Sequence, residues 1–231
     1  MKLFNENLSF PMVRRQFLAA IPVLFFMTLM SNMAVADETN AFFLAVARDN
    51  GYWVAKLLDN GIDPNVKDTG RGDTGLILAL REHAMRAFDV LLNAPKINLD
   101  ASSDNGDTAL MIASYTGNQA AVAALLDKDA EVNKPGWTAL HYAAAIGNCE
   151  IITLLLDKFA YIDAESPSKS TPVMMAARAG QLAAVKLLVE AGADATLGNA
   201  QGLSATDLAI ANDHQEIAEW LTNTLKQAGK H

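Results

Sequence analysis

Short apolar segments alternate with polar breaks along most of the chain, and five pairs of segments each begin at a hydroxyl residue. After that residue the apolar positions follow helical spacing for roughly two to three turns, and a second apolar segment comes after a polar break. The hydroxyl residues lie 34, 30, 33 and 33 positions apart, and they are Thr74, Thr108, Thr138, Thr171 and Ser204. A period of this length predicts a stack of helical repeats.

The segment that begins at Gly136 illustrates how one unit is built. Thr138 can accept a hydrogen bond from a free backbone N–H at the start of a helix, and Gly147 can end that helix. A second helix follows, and its apolar face consists of Ile151, Ile152, Leu154, Leu155 and Leu156. Helices this short are unstable alone in water, so we expect them to be stabilised by stacking on neighbouring units.

The N-terminal segment has a different pattern. Arg14 and Arg15 precede an apolar run from residue 17 to 30, and Ala34-Val35-Ala36 follows just before the acidic pair that begins at Asp37. A basic front, a short apolar core and small residues at the end predict a signal peptide over residues 1–36, cleaved between Ala36 and Asp37. The alternative is an uncleaved anchor, because no charge occurs from residue 16 to 36.

Two export routes fit this segment. Arg14-Arg15-Gln16-Phe17-Leu18 is similar to the twin-arginine signal that bacteria use for proteins exported in the folded state. A start at Met12 would instead leave the short basic front of an ordinary signal peptide. Both routes cross the inner membrane, so for a bacterial source we expect a periplasmic protein, or an inner-membrane protein if the segment is not cleaved.

Composition and charge narrow the range of partners. The chain is 51% apolar but only 7% aromatic, which suits thin, closely packed helices. Its formal charge of −8 would repel phosphate backbones, so we expect no nucleic-acid partner. Cys149 is the only cysteine, which excludes a disulfide within the chain.

The sequence contains no recognisable catalytic or metal-binding motif. The four histidines fall in different parts of the repeat array, and there is no phosphate-binding glycine loop, Cys-x-x-Cys or His-Glu-x-x-His. We therefore predict that the protein is not an enzyme and that it has no cofactor and no metal.

The units resemble the ankyrin repeat. Gly136-Trp137-Thr138-Ala139-Leu140-His141-Tyr142-Ala143-Ala144 is similar to the core motif of that family, and Val185 to Asp194 is similar to its end. The resemblance covers about residues 39–227. It implies an all-α repeat solenoid of about six helix-turn-helix units joined by β-hairpin fingers, with a concave face that binds proteins.

The repeat domain is expected over residues 37–231. Its units are predicted at about 39–68, 73–104, 105–135, 136–167, 168–200 and 201–227, with a polar tail at 228–231. Asp129 and Phe159 stand where the family usually has a left-handed glycine. His141 alone keeps the motif histidine, so we interpret it as a structural partner of Thr138.

One finger is shorter than the others. Five positions separate Asn133 from Thr138, whereas eight separate the corresponding residues of three other fingers. We predict that this gap forms a notch in the rim, where a protein partner binds to Trp137, Tyr142, Tyr115, Met175 and Arg178. These residue types are enriched in interface cores and hot spots. The alternative is that Trp137 only packs over the hairpin and the tyrosines line the stack.

Three hypotheses of function follow. The first is a non-enzymatic, monomeric protein-binding module in the periplasm. The second is a carrier of a small ligand or cofactor, which export in the folded state would favour. The third is a membrane-tethered accessory protein in oxidant defence, which rests on resemblance to exported bacterial ankyrin-like proteins.

Overall fold

The computed structural model describes residues 38–229. The predicted signal peptide at 1–36, its cleavage site between Ala36 and Asp37, and the last two residues of the tail lie outside the described residues. The compact unit that contains the helix pairs begins at Phe42, and the packing described below concerns that unit.

Twelve helices occur in the described part, and they follow one another in pairs. They are α1 (38–47), α2 (Gly51–Asp59), α3 (Gly75–Arg81), α4 (Met85–Leu92), α5 (Ala109–Tyr115), α6 (Gln119–Leu126), α7 (Ala139–Ile146), α8 (Cys149–Asp157), α9 (Pro172–Arg178), α10 (Leu182–Glu190), α11 (Ala205–Ala211) and α12 (Gln215–Gln227). None of these described helices is both long enough and apolar enough to span a membrane. The prediction of an all-helical repeat solenoid is confirmed.

Thr74, Thr108 and Ser204 cap the first helix of their units through a side-chain hydrogen bond, as predicted. Thr74 Oγ1 accepts a hydrogen bond from the backbone N–H of Ile77 at 3.3 Å, and Ser204 Oγ accepts one from Asp207 N–H at 3.2 Å. Pro172 occupies the first turn of α9, where a missing N–H leaves no hydrogen bond unmade. Each cap satisfies a donor that the helix itself cannot.

The core of the stack lies between the helices. First helices pack on one another along the row, and each also packs against the second helix of its own pair. Leu76, Leu110 and Leu140 hold equivalent buried positions, and burying one leucine side chain contributes about 1.5–3 kcal/mol. Alanines fill the fully buried positions three residues further on, where the helices approach closely, at Ala79, Ala113, Ala143 and Ala176.

The turn between the two helices of each pair contains one residue in the left-handed conformation. In the fourth unit this is Gly147, with φ at 76°, which confirms its predicted role as the end of α7. The corresponding residues elsewhere are Asp49, His83, Gly117, Gly180 and Asp213. A regular break therefore joins the pairs even where glycine is missing.

The loop after each second helix also has a left-handed residue. Gly61 and Gly192 adopt it freely, whereas Asp129 and Phe159 adopt it with φ at 60° and 61°. The prediction that these two residues replace a left-handed glycine is confirmed, and Lys96 is a third case with φ at 63°. A side chain in this conformation costs roughly 1–2 kcal/mol.

Asparagine and aspartate side chains join each of these loops to the next one, a feature that the sequence analysis missed. Asn133 donates from Nδ2 to the carbonyl of Phe159 and accepts from the N–H of Tyr161, both at 2.8 Å. Asn65 bonds in the same way to the loop that follows α4. These bonds satisfy loop backbone groups that have no helix partner.

The fingers are turns with little strand character. Two isolated antiparallel bridges, Lys67 with Thr74 and Ser102 with Thr108, are all that represents the predicted hairpins in the described part. Four fingers are closed by one backbone hydrogen bond each, as from Ser103 N–H to the carbonyl of Asp107 at 2.9 Å. Within the described residues, the short loop from 133 to 138 has no such closing bond.

Candidate functional site

The five predicted partner-binding residues surround one open concavity of about 270 Å³. Trp137 comes from the short finger, and the other four come from three neighbouring first helices, α5, α7 and α9. We call this concavity the aromatic notch, and its lining is Tyr115, Trp137, His141, Tyr142, Ala145, Met175 and Arg178. The structure thus brings together residues up to 63 positions apart in the sequence (115 to 178).

The short finger places Trp137 in the notch. Its turn passes through Gly136, whose φ of 89° is open to glycine and strained for other residues. Lys134 fixes the turn by donating from Nζ to the carbonyl of Gly106 in the preceding finger at 3.0 Å. The indole of Trp137 then lies edge-on to the His141 ring, with the centroids 5.3 Å apart.

His141 forms the buried floor of the notch and is only 1% exposed. Its Nε2 lies 2.9 Å from the carbonyl oxygen of Ser170, so Nε2 carries the hydrogen. Its Nδ1 therefore accepts, from the hydroxyl of Thr138 at 2.9 Å and from the Thr138 N–H at 3.2 Å. Burial lowers the pKa of His141, which keeps the ring neutral. The structural pairing with Thr138 is confirmed, and neither ring nitrogen is available for acid–base chemistry.

Tyr142 forms one wall and is held at its hydroxyl. Its Oη donates to Asp107 Oδ1 at 2.7 Å. Burial raises the pKa of Tyr142 far above its usual value, and the hydrogen bond and negative charge of Asp107 raise it further. The Tyr142 ring is therefore neutral and fixed in orientation. Tyr115 packs edge-on against it, with the centroids 5.9 Å apart, but is itself 56% exposed.

A family model described as ankyrin repeats, in three copies, matches residues 42–135, 76–166 and 140–229. The chain belongs to the ankyrin-repeat family. Ankyrin repeats are generally protein–protein interaction modules without enzymatic activity. Positions in the repeats that begin with a hydroxyl residue are counted below from that residue, so that equivalent positions can be compared.

Behind Tyr142 the ankyrin repeats are joined by a chain of charges. The other oxygen of Asp107, Oδ2, accepts from Arg81 Nη2 at 3.0 Å, and Arg81 Nε donates to Asp73 Oδ2 at 3.0 Å. We call Asp73, Arg81, Asp107 and Tyr142 the charge chain. It crosses three consecutive repeats, and it fixes the wall of the notch from behind.

The charge chain was not predicted from the sequence, although its positions are regular. Asp73 and Asp107 each stand immediately before the hydroxyl residue of their repeat, and Arg81 stands seven positions after Thr74. That spacing places Arg81 at the end of α3, within reach of the residue before its own helix and of the equivalent residue in the next repeat. Repetition of Asp-Thr in two units was the available signal.

Asp73 is the most buried member of the charge chain, at 1% exposure. Its Oδ1 has no hydrogen-bond partner among the described residues. Burial raises the pKa of Asp73, although the neighbouring Arg81 opposes the shift. The pairing with Arg81 therefore does not fully compensate for the loss of hydration.

Arg178 forms the open end of the notch. Its side chain is exposed and makes no ion pair within the part of the chain that the structure describes. Met175, half-buried beside it, adds an apolar surface one turn earlier on α9. The notch thus has an apolar wall and a free positive charge at its edge.

Two further findings concern titratable groups outside the notch. Among residues 38–229 there is no group of three or more His, Cys, Asp or Glu side chains arranged to hold a metal ion. Burial raises the pKa of the Cys149 thiol, and the negative charge of Glu150 adds to this effect. A raised pKa opposes formation of the reactive thiolate.

Proposed function

We propose that this ankyrin-repeat protein is a non-enzymatic binding module whose protein partner docks on the aromatic notch. The observation that carries the proposal is the grouping of three aromatic side chains, one methionine and one arginine around a single open concavity. Tyrosine, tryptophan, methionine and arginine are enriched in interface cores, and tryptophan, tyrosine and arginine supply most hot spots.

Pre-organisation supports the proposal. The hydroxyl of Tyr142 is bound to Asp107, and both nitrogens of His141 are bound to the protein. A partner that docks against these rings does not have to order them, so less of the binding free energy is lost to ordering side chains.

The alternative is that the aromatic residues only stabilise the stack. Contacts among Trp137, His141 and Tyr142 fit that interpretation in part. Tyr115 does not fit it well, because more than half of its side-chain surface is exposed. A comparison of two tryptophans separates the alternatives.

The test is capture of the partner from a periplasmic extract of the native host, with wild-type, Trp137→Ala and Trp53→Ala proteins as baits. Trp53 is an exposed tryptophan on α2, outside the notch, where it packs against Tyr52 and Lys56. We expect Trp137→Ala to lose the partner while retaining its thermal midpoint within a few degrees, and Trp53→Ala to retain the partner. Equal capture by all three baits would refute the notch as the binding site.

We also propose that the N-terminal segment exports the protein to the periplasm, where it acts as a monomer. The basic residues Arg14 and Arg15, the apolar run and the small residues that end at Ala36 support this proposal. N-terminal sequencing of the protein from its native host should begin at Asp37. Recovery of the intact segment from the membrane fraction would instead favour the anchor, and sedimentation of the processed chain tests the monomer.

A further inference from the structure

Arg178 and Arg81 occupy the same position in their repeats. Each stands seven residues after the hydroxyl residue that begins its helix, Thr171 for Arg178 and Thr74 for Arg81. Each is also the last residue of its first helix, α9 and α3. The two side chains therefore leave the stack from equivalent points.

The carboxylates that surround Arg81 have no counterparts around Arg178. Arg81 binds the residue before its own helix, Asp73, and the equivalent residue of the next repeat, Asp107. The residues at these two places around Arg178 are Ser170 and Leu203. An arginine at this position binds carboxylates where the chain supplies them, and around Arg178 the chain supplies none at those two positions.

The other polar groups of the notch offer a ligand few hydrogen-bond acceptors. The hydroxyl of Tyr142 and both nitrogens of His141 already have partners within the protein. Among the described residues, the indole N–H of Trp137 makes no hydrogen bond, and neither does the guanidinium of Arg178. The groups left for a ligand are therefore mainly donors beside an apolar wall.

The notch is small and open, which suits one side chain of a partner. Its volume of about 270 Å³ is open on one side. Pockets for small molecules usually span about 300–1,000 Å³ and enclose most of the ligand. An aromatic or large aliphatic side chain from a partner would fill the apolar part, and a neighbouring group would reach Arg178.

We infer that the partner segment carries an aromatic or large aliphatic residue with an aspartate or glutamate within two positions of it, and that this carboxylate pairs with Arg178 as Asp73 and Asp107 pair with Arg81. The inference rests on the proposed function and specifies the partner of the same site. A hydrogen bond between an arginine and a carboxylate is directional, so it also fixes the register of the segment.

The test is selection of a displayed random dodecapeptide library on the protein isolated from cells that express the full chain. Peptides bound to the wild type should be enriched in an aromatic or large aliphatic residue with Asp or Glu within two positions of it. The same library selected on Arg178→Glu should instead be enriched in Lys or Arg. Lys128→Glu is the matched control, since it makes the same charge change on the exposed loop after α6 and should select the wild-type set.

A second variant supplies the carboxylate from within the chain. Leu203 stands where Asp107 stands relative to Arg81, and it is exposed. Leu203→Asp should pair with Arg178 and weaken the best selected peptide, synthesised with an amidated C-terminus, at least tenfold. The asparagine of Leu203→Asn has nearly the same shape as the aspartate but no charge. The affinity of this variant for the peptide should therefore be within about twofold of the wild-type affinity.

The outcomes separate this inference from the proposed function. Suppose that the peptides lose binding to Trp137→Ala but show no preference for acidic residues, or that they bind Arg178→Glu as well as the wild type. Either result would overturn the inference that the partner supplies a carboxylate, and the notch would remain the proposed docking site. Peptides that bind Trp137→Ala undiminished, or a library that yields no binder, would overturn both.

Discussion

The second and fifth ankyrin repeats place an arginine at the same position and use it in opposite ways. Arg81 is 20% exposed and lies between two carboxylates of the chain, whereas Arg178 is exposed and has no ion pair among the described residues. The helices that carry them are both seven residues long. The residue before each first helix, rather than the helix itself, therefore decides whether the arginine joins two repeats or faces solvent.

Removal of each arginine in turn should reveal the largest difference in stability between these two repeats. Arg81→Ala leaves Asp73 and Asp107 without their counter-ion, and loss of one partner from a buried ion pair costs about 3–5 kcal/mol. Because Arg81 is partly exposed, we expect a loss of about 3 kcal/mol in the free energy of unfolding, measured by urea denaturation. Arg178→Ala should change it by less than about 0.5 kcal/mol. Equal losses would mean that the charge chain does not stabilise the stack.

The two tyrosines of the notch should also differ in how much their hydroxyl groups contribute to stability. Tyr142→Phe removes the hydrogen bond to Asp107, and hydrogen bonds to charged groups contribute about 1.5–3 kcal/mol. Asp107 is 17% exposed and can recover water, so we expect a loss of about 1.5 kcal/mol. Tyr115→Phe is the control, since its hydroxyl makes no hydrogen bond within residues 38–229, and its urea midpoint should not move.

The loops after the second helices provide a smaller effect of opposite sign. Asp129 holds a φ of 60°, where a glycine would avoid the clash of its side chain with the backbone. Asp129→Gly should raise the free energy of unfolding by a few tenths to about 1 kcal/mol, as measured by urea denaturation. A destabilised variant would show that the greater freedom of glycine in the unfolded chain outweighs the relief of strain.

The last prediction concerns the pH dependence of Asp73. Its pKa is raised by burial, so the folded state binds the proton more tightly than the unfolded state does. The stability that this group contributes is therefore present at low pH and is lost as pH rises from the unfolded value of about 3.8 through the folded pKa. Asp73→Asn should be more stable than the wild type at neutral pH, and the difference should shrink as pH falls through that range. Urea denaturation at several pH values measures it, and a less stable variant at pH 7 would show that the pairing with Arg81 outweighs burial.

The helices and turns could be predicted because their signals are local. Thr74 and Thr138 indicate where helices start, and Gly147 indicates where one ends. The period near 33 residues places Asp129 and Phe159 at left-handed positions in their loops. The residues of the notch came together for the same reason, since equivalent positions of stacked units lie side by side.

The charge chain could not be predicted from the period alone. Its bonds depend on how far one repeat is displaced relative to the next, and only the packed helices fix that displacement. The hydrogen bonds of Asn133 and Asn65 to neighbouring loops could not be predicted for the same reason. The hairpin fingers were inferred from the family, and the two bridges at Lys67 and Ser102 are as much pairing as the described residues contain.

The short finger from 133 to 138 also bears on how such a protein can change over evolutionary time. Three residues fewer than in its neighbours leave the helices on either side stacked, because Leu140 and Leu110 are buried regardless of the length of the loop. Insertions and deletions in a finger can therefore change the shape of the recognition surface while every variant along the way still folds. Finger length is a heritable variable that selection for binding can act on while the scaffold stays constant.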